Sequence, residues 1–272
     1  MFERRFRTGF EALLCALSVL LALPRLSSAG PLPFPPHPHY VFQHIGDEQG
    51  LGTKTVTALF QDKTGFIWIG CQDGLYRYDG MGFDRFGREQ GLPAESIEKL
   101  VESPDGVLWV ATSGGIAKFS SGRFVPLTFS AEDGDPTSGS GAMAIGSDGS
   151  LYVATSRGLL LAGGDSDRKR RLFAIPEEPA RVESVAIDPK GTVWILTERR
   201  IGHLVSIGGA GKIELDPELN GLPADRFRVL AFDGAGTLWV RSANRLARRD
   251  SGTAGFVLDD AGLPPPNDLA AL

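Results

Sequence analysis

A nine-residue motif built around one aromatic residue returns along this chain until there are five copies, and no other feature restricts the fold as strongly. Asp62-Lys63-Thr64-Gly65-Phe66-Ile67-Trp68-Ile69-Gly70 is followed by Ser103 to Ala111, Gly146 to Ala154, Asp188 to Leu196 and Asp233 to Arg241. The anchors Trp68, Trp109, Tyr152, Trp194 and Trp239 stand 41, 43, 42 and 45 residues apart. A fixed period of this size means one supersecondary unit stacked on copies of itself.

Elementary chemistry accounts for each copy. Asp or Ser caps a turn, Pro104 or Pro189 presets φ at its second position, and Gly65, Gly106, Gly149, Gly191 or Gly236 takes the left-handed fourth position. A strand such as Val56 to Phe60 or Ser184 to Ile187 leads into the turn. A near-continuous apolar strand carrying the aromatic anchor leads out, as expected of a strand buried on both faces. Third strands are expected at Gly74–Tyr78 and Gly115–Phe119, and fourth strands at Phe83–Phe86 and Phe124–Leu127. Between units lies a second signature, Glu-Gln-Gly-Leu at 48–51 and Glu-Gln-Gly-Leu-Pro at 89–93, echoed as Gly-Leu-Pro at 221–223 and 262–264. Its glycine and proline turn the chain sharply from the outer strand of one unit to the inner strand of the next. The third unit lacks this signature and is the most degenerate.

Four short antiparallel strands per unit make a propeller blade, and no stretch shows sustained helical periodicity. The expected fold is therefore all-β, a β-propeller over residues 40–272 with five complete blades and an incomplete sixth. Phe42 to Leu51 aligns with Phe83 to Leu92 and reads as an outer strand arriving before its own blade, and the chain stops within a sixth inner strand near Leu269. On that reading the chain is an N-terminal fragment of a longer protein.

Residues 1–29 read as a secretory signal peptide: Arg4, Arg5 and Arg7, an apolar stretch from Ala12 to Leu23, then Ser27-Ser28-Ala29. Residues 30–39 read as a proline-rich leader, and nothing after it is apolar enough to span a bilayer. Export to the periplasm, or to the periplasmic face of the inner membrane, is expected. Membrane attachment would come only through an uncleaved signal or downstream segments. The formal charge is -5, so neither nucleic acid nor anionic lipid is an expected partner. The basic run Arg168 to Arg171 reads as a solvated loop.

The signature between blades, the Asp-x-x-Gly-x-(Ile/Leu/Val)-Trp strand and the Gly-Leu or Gly-Ile that follows resemble the two-component regulator propeller repeat. The best copies are Leu59 to Tyr78 and Leu100 to Phe119. The resemblance implies the periplasmic sensor region of a hybrid histidine kinase or a related diguanylate cyclase. In such receptors propellers precede a small β-sandwich, a membrane helix and a cytoplasmic output domain.

Candidate chemistry is sparse, and no catalytic, cofactor-binding or metal-binding residue is assigned. His37 and His39 stand in the leader without acidic or cysteine neighbours, and His44 and His203 fall in strands. Asp62, Asp188 and Asp233 have the spacing of capped turns and lack the alternating ligands of a calcium loop. The tryptophans read as core between blades, not as stacking platforms, and Cys71 as a buried thiol. The expected function is a ligand-binding sensor module without catalytic activity of its own, recognising a small molecule, a glycan or a protein. Two other readings are a secreted propeller binding protein and a propeller lyase or glycosidase.

Overall fold

The computed structural model describes residues 46, 50–51, 55–139, 141–162, 170–176, 180–207, 210–216, 222–223, 225–253 and 255–260. All belong to one compact unit, residues 45–272. Five four-stranded antiparallel sheets form in chain order, each a meander, and stand in a ring as a five-bladed β-propeller. Blade 1 contains β1 (Val56–Gln61), β2 (Ile67–Cys71), β3 (Gly74–Tyr78) and β4 (Phe83–Phe86). Blade 2 contains β5 (Ile97–Glu102), β6 (Leu108–Thr112), β7 (Gly115–Ser120) and β8 (Arg123–Pro126). Blade 3 contains β9 (Met143–Ile145), β10 (Leu151–Thr155), β11 (Gly158–Leu161) and β12 (Arg171–Ala174). Blade 4 contains β13 (Val182–Ile187), β14 (Val193–Thr197), β15 (Ile201–Ile207) and β16 (Ala210–Leu215). Blade 5 contains β17 (Val229–Phe232), β18 (Leu238–Arg241), β19 (Leu246–Arg249) and β20 (Val257–Leu258).

The inner strands pack in succession, β1 on β5, β5 on β9, β9 on β13 and β13 on β17. Blade 3 is the degenerate copy, with a three-residue inner strand and an isolated bridge from Pro136 to Thr155. The expected sixth blade, near Phe42 and Leu269, lies outside the described residues, as do the signal peptide, the leader and His44. Among the described residues no helix is long and apolar enough to cross a membrane.

The anchors define the seams. Trp68 of blade 1 is 2% exposed and packs against Ile97, Leu108, Val110 and Phe124 of blade 2. Trp109 of blade 2 packs against Met143, Leu151 and Val153 of blade 3. Trp194 packs against Phe227, Leu230 and Leu238 of blade 5. Tyr152, Trp194 and Trp239 keep partial exposure, so the burial expected for every anchor is strongest in the first two blades.

One element departs from the expected all-strand reading. The signature at 89–93 winds a short 3-10 turn, Arg88–Gln90, and the Gln90 side chain accepts the Gly87 N–H at 2.8 Å. Gly91 closes this turn at φ +97°, and Leu92 drops into the core at 3% exposure. Three residues are too few to leave a periodic signature in the sequence.

Candidate functional site

The turn between the first and second strands carries a contact that fixes the anchor. In blade 1, Asp62 Oδ1 accepts the N–H groups of Thr64 and Phe66 at 2.9 and 3.0 Å, and Oδ2 accepts the Trp68 indole N–H at 2.7 Å. Asp188 does the same for Lys190, Thr192 and Trp194, and Asp233 for Ala235, Thr237 and Trp239. Each carboxylate therefore caps a turn and orients a tryptophan six residues later. Blade 2 has Ser103 at that position, whose hydroxyl accepts the Val107 N–H at 3.0 Å instead.

Burial works against ionisation of Asp188, but the bonds from the Thr192 N–H, the Trp194 indole and the Lys190 N–H outweigh it and hold the carboxyl below its ordinary value. A carboxyl lowered on folding adds stability above its unfolded pKa of about 3.9, and that stability is lost as pH falls through the folded value. The stability gap between wild type and Asp188→Asn is therefore expected to shrink as urea melts are repeated from about pH 6 down to about pH 2. A gap constant over that range would rule out the linkage.

Across each tryptophan the third strand places a cationic or ionisable side chain: Arg77 opposite Trp68, Lys118 opposite Trp109, His203 opposite Trp194 and Arg248 opposite Trp239. The Arg77 guanidinium lies 5.6 Å from the Trp68 ring, and the His203 ring lies 5.0 Å from that of Trp194. His203 Nδ1 is buried without a hydrogen bond among the described residues, 4.0 Å from Asp216 Oδ1.

The inner strands carry charges that the sequence reading did not single out. A register shift sits at Thr57, Glu98 and Glu183 in blades 1, 2 and 4. Thr57 Oγ1 donates to the Ile97 carbonyl at 2.6 Å, and Glu98 Oε2 accepts the Gly139 N–H at 2.7 Å, so both tie one blade to the next. Glu183, 8% exposed, is bound by Arg181 at 3.0 Å. Lys99 stands where blade 1 has Ala58 and blade 4 has Ser184. It is half-buried, and burial pushes the pKa of its ammonium down to about 8. Aligning the copies residue by residue exposes these departures. Among the described residues no three His, Cys, Asp or Glu side chains gather closely enough to hold a metal ion.

Of the residues weighed from sequence, Cys71 is fully buried in β2. The basic run is no free loop at its described end. Arg170 bonds Asp133 at 3.0 Å and the Thr128 carbonyl at 2.6 Å, which draws the start of blade 3's outer strand onto the segment leaving blade 2. Two concavities open at the seams, about 200 Å³ between blades 2 and 3 and about 340 Å³ between blades 4 and 5. The first lies between the turn Thr112 to Gly115 and the segment Asp135 to Ser138, and the second is floored by Trp194, Phe232 and Leu238.

These features define a β-propeller whose anchors serve packing and whose open chemistry lies at the seams between blades. Residues 50–73, which run from the last two residues of the first signature through β1, the Asp62 turn and β2, match the family model of the two component regulator propeller. No curated protein matches the chain. Among solved structures, one described as the extracellular domain of a hybrid two component system from B. thetaiotaomicron superposes with a TM-score of 0.61 at 22% identity, over 79% of this chain and 31% of that one. A second such domain from the same organism gives 0.62 at 19% identity, over 82% and 33%. The chain thus spans about a third of the length of these two structures. A virginiamycin B lyase from Staphylococcus aureus, in a catalytically inactive histidine-to-alanine form with quinupristin, gives 0.56 at 17% identity, over 76% and 70%. At these identities the likeness establishes the fold.

Proposed function

We propose that this chain is the periplasmic sensor propeller of a bacterial two-component-type receptor, binding a ligand and passing its signal to an output domain. The observation that carries the reading is the regulator propeller repeat at residues 50–73, set in a blade whose Asp–Trp turn recurs in blades 4 and 5. The extracellular location of the two B. thetaiotaomicron domains and the signal-like N-terminus support export. A propeller offers rigid blades with binding surfaces at their loops and seams, which suits recognition.

A lyase reading is weaker on one specific ground. A histidine is needed for activity in the S. aureus lyase, whereas the single histidine among the described residues, His203, sits on a third strand against Trp194. Fractionation of cells making a tagged chain is expected to place it outside the cytoplasm. Cells lacking the gene are expected to lose the transcriptional response to one extracellular compound. A cytoplasmic chain, or transcription unchanged across a broad panel of compounds, would overturn the proposal.

A further inference from the structure

The seam between blades 4 and 5 lacks the clamp that closes the equivalent seam between blades 1 and 2. In the closed seam, Lys63 follows the turn aspartate and clamps across to blade 2, its ammonium donating to the carbonyls of Ser103 and Pro104 at 3.0 and 2.6 Å. Phe119 fills the space beside Trp68, with ring centroids 5.4 Å apart. In blade 4 the residue after the turn aspartate is Pro189, which has no ammonium to reach across. In blade 5 the place of Phe119 is taken by Arg249, whose guanidinium lies 5.5 Å from the Trp194 ring. The lysine clamp is gone, an arginine stands where the phenylalanine ring stood, and a groove of about 340 Å³ remains.

The charges lining this groove are unevenly committed. Asp188 spends both oxygens on its own turn and on Trp194, and Asp250 Oδ1 accepts from Arg248 at 3.1 Å. Arg249, whose guanidinium lies against both Trp194 and Phe256, uses Nη1 on Asp216 at 3.0 Å, and among the described residues neither Nε nor Nη2 meets an acceptor. The exposed Lys190 ammonium has no hydrogen bond or ion pair among the described residues. Among the described residues the Lys190 ammonium and two N–H edges of Arg249 are thus left without an acceptor beside the aromatic lining, while Asp188 spends both oxygens within its own turn.

We propose that this groove binds a small monoanion carrying a flat apolar ring, an arylcarboxylate in chemical class. Its carboxylate meets Lys190 and Arg249, and its ring lies against Trp194 and Phe232. The site deepens the sensor reading, but binding is measured in solution apart from signalling. A failure here leaves the sensor reading standing, and a strain without a signalling defect leaves the groove standing.

Titration of the full chain with benzoate and with phenylacetate, followed by tryptophan emission and calorimetry, is expected to give saturable binding at one site with Kd below about 1 mM. Neutral benzamide is expected to bind at least about tenfold more weakly, the equivalent of about 1.4 kcal/mol. Lys190→Glu, at an exposed position, should weaken benzoate by a similar factor, whereas Lys118→Glu on blade 2 should leave it unchanged. Pro189→Lys, which restores the clamp of blade 1, should abolish binding without lowering the melting temperature. Absence of saturable binding, equal affinity for benzamide, or unchanged benzoate affinity in both Lys190→Glu and Pro189→Lys would overturn the proposal.

Discussion

Trp68→Ala is expected to destabilise the propeller by about 3 to 5 kcal/mol, the range for deleting a buried large aromatic side chain. The indole is 2% exposed and sits among Phe86, Phe119 and Phe124 with centroids 5.4, 5.4 and 6.5 Å away, so its loss opens a cavity walled by rigid rings from two blades. Part of the loss comes from Asp62, whose Oδ2 would lose its indole partner. Trp68→Phe is intermediate, because it keeps a ring in the seam while removing the N–H and part of the indole, so its loss should exceed the about 1 kcal/mol of the hydrogen bond itself and fall short of that of Trp68→Ala. Trp239→Ala serves as the contrast. Trp239 makes the same bond to Asp233 but is partly exposed on β18, so its removal should destabilise less than that of Trp68. Urea denaturation of the three variants supplies the measurement. Equal losses for Trp68→Ala and Trp239→Ala would mean that the seam contributes nothing beyond the turn.

The repeat made the blades legible because every strand in a blade has a counterpart at a fixed offset. The third and fourth strands at Gly74–Tyr78 and Phe83–Phe86 match their sequence expectation residue for residue, and the others differ by one or two residues at their ends. The Asp–Trp bond was also present in the sequence, as a six-residue separation shared by Asp62, Asp188 and Asp233 and absent from the copies that begin with Ser103 and Gly146. Turn chemistry alone already accounted for the aspartate, so the second oxygen went unread. The cations opposite the tryptophans are a different case. Arg77 and His203 reach Trp68 and Trp194 only through the pairing register of the second and third strands, which depends on the length of the turn between them. The groove between blades 4 and 5 was harder still, because it arises from what Pro189 and Arg249 replace. An absence becomes visible only when the copies are compared position by position in space.

Gly91→Ala is the substitution expected to do the most damage outside the aromatic seams, although it adds a single methyl group. Gly91 ends the 3-10 turn at φ +97°, a conformation that costs a residue bearing a Cβ about 1 to 2 kcal/mol. A Cβ there would also run into the carbonyl oxygen of Phe124 on β8. Backbone cannot rotate away as a flexible side chain can, so either blade 2's outer strand or the turn must shift, and overpacking of this kind costs about 1 to 3 kcal/mol more. The two effects together give about 2 to 5 kcal/mol. The shift would be felt on both sides, because Leu92 next in sequence is buried in the core between blades 1 and 2, and Phe124 itself packs on Trp68. Gly65→Ala tests the same backbone strain without the collision: Gly65 has φ +96°, and a Cβ on it meets nothing within 4 Å. Thermal melts should rank Gly91→Ala below Gly65→Ala, and Gly65→Ala below wild type. If the two glycine variants melt together, the close approach of the connecting turn to β8 is not what holds blade 2 against blade 1.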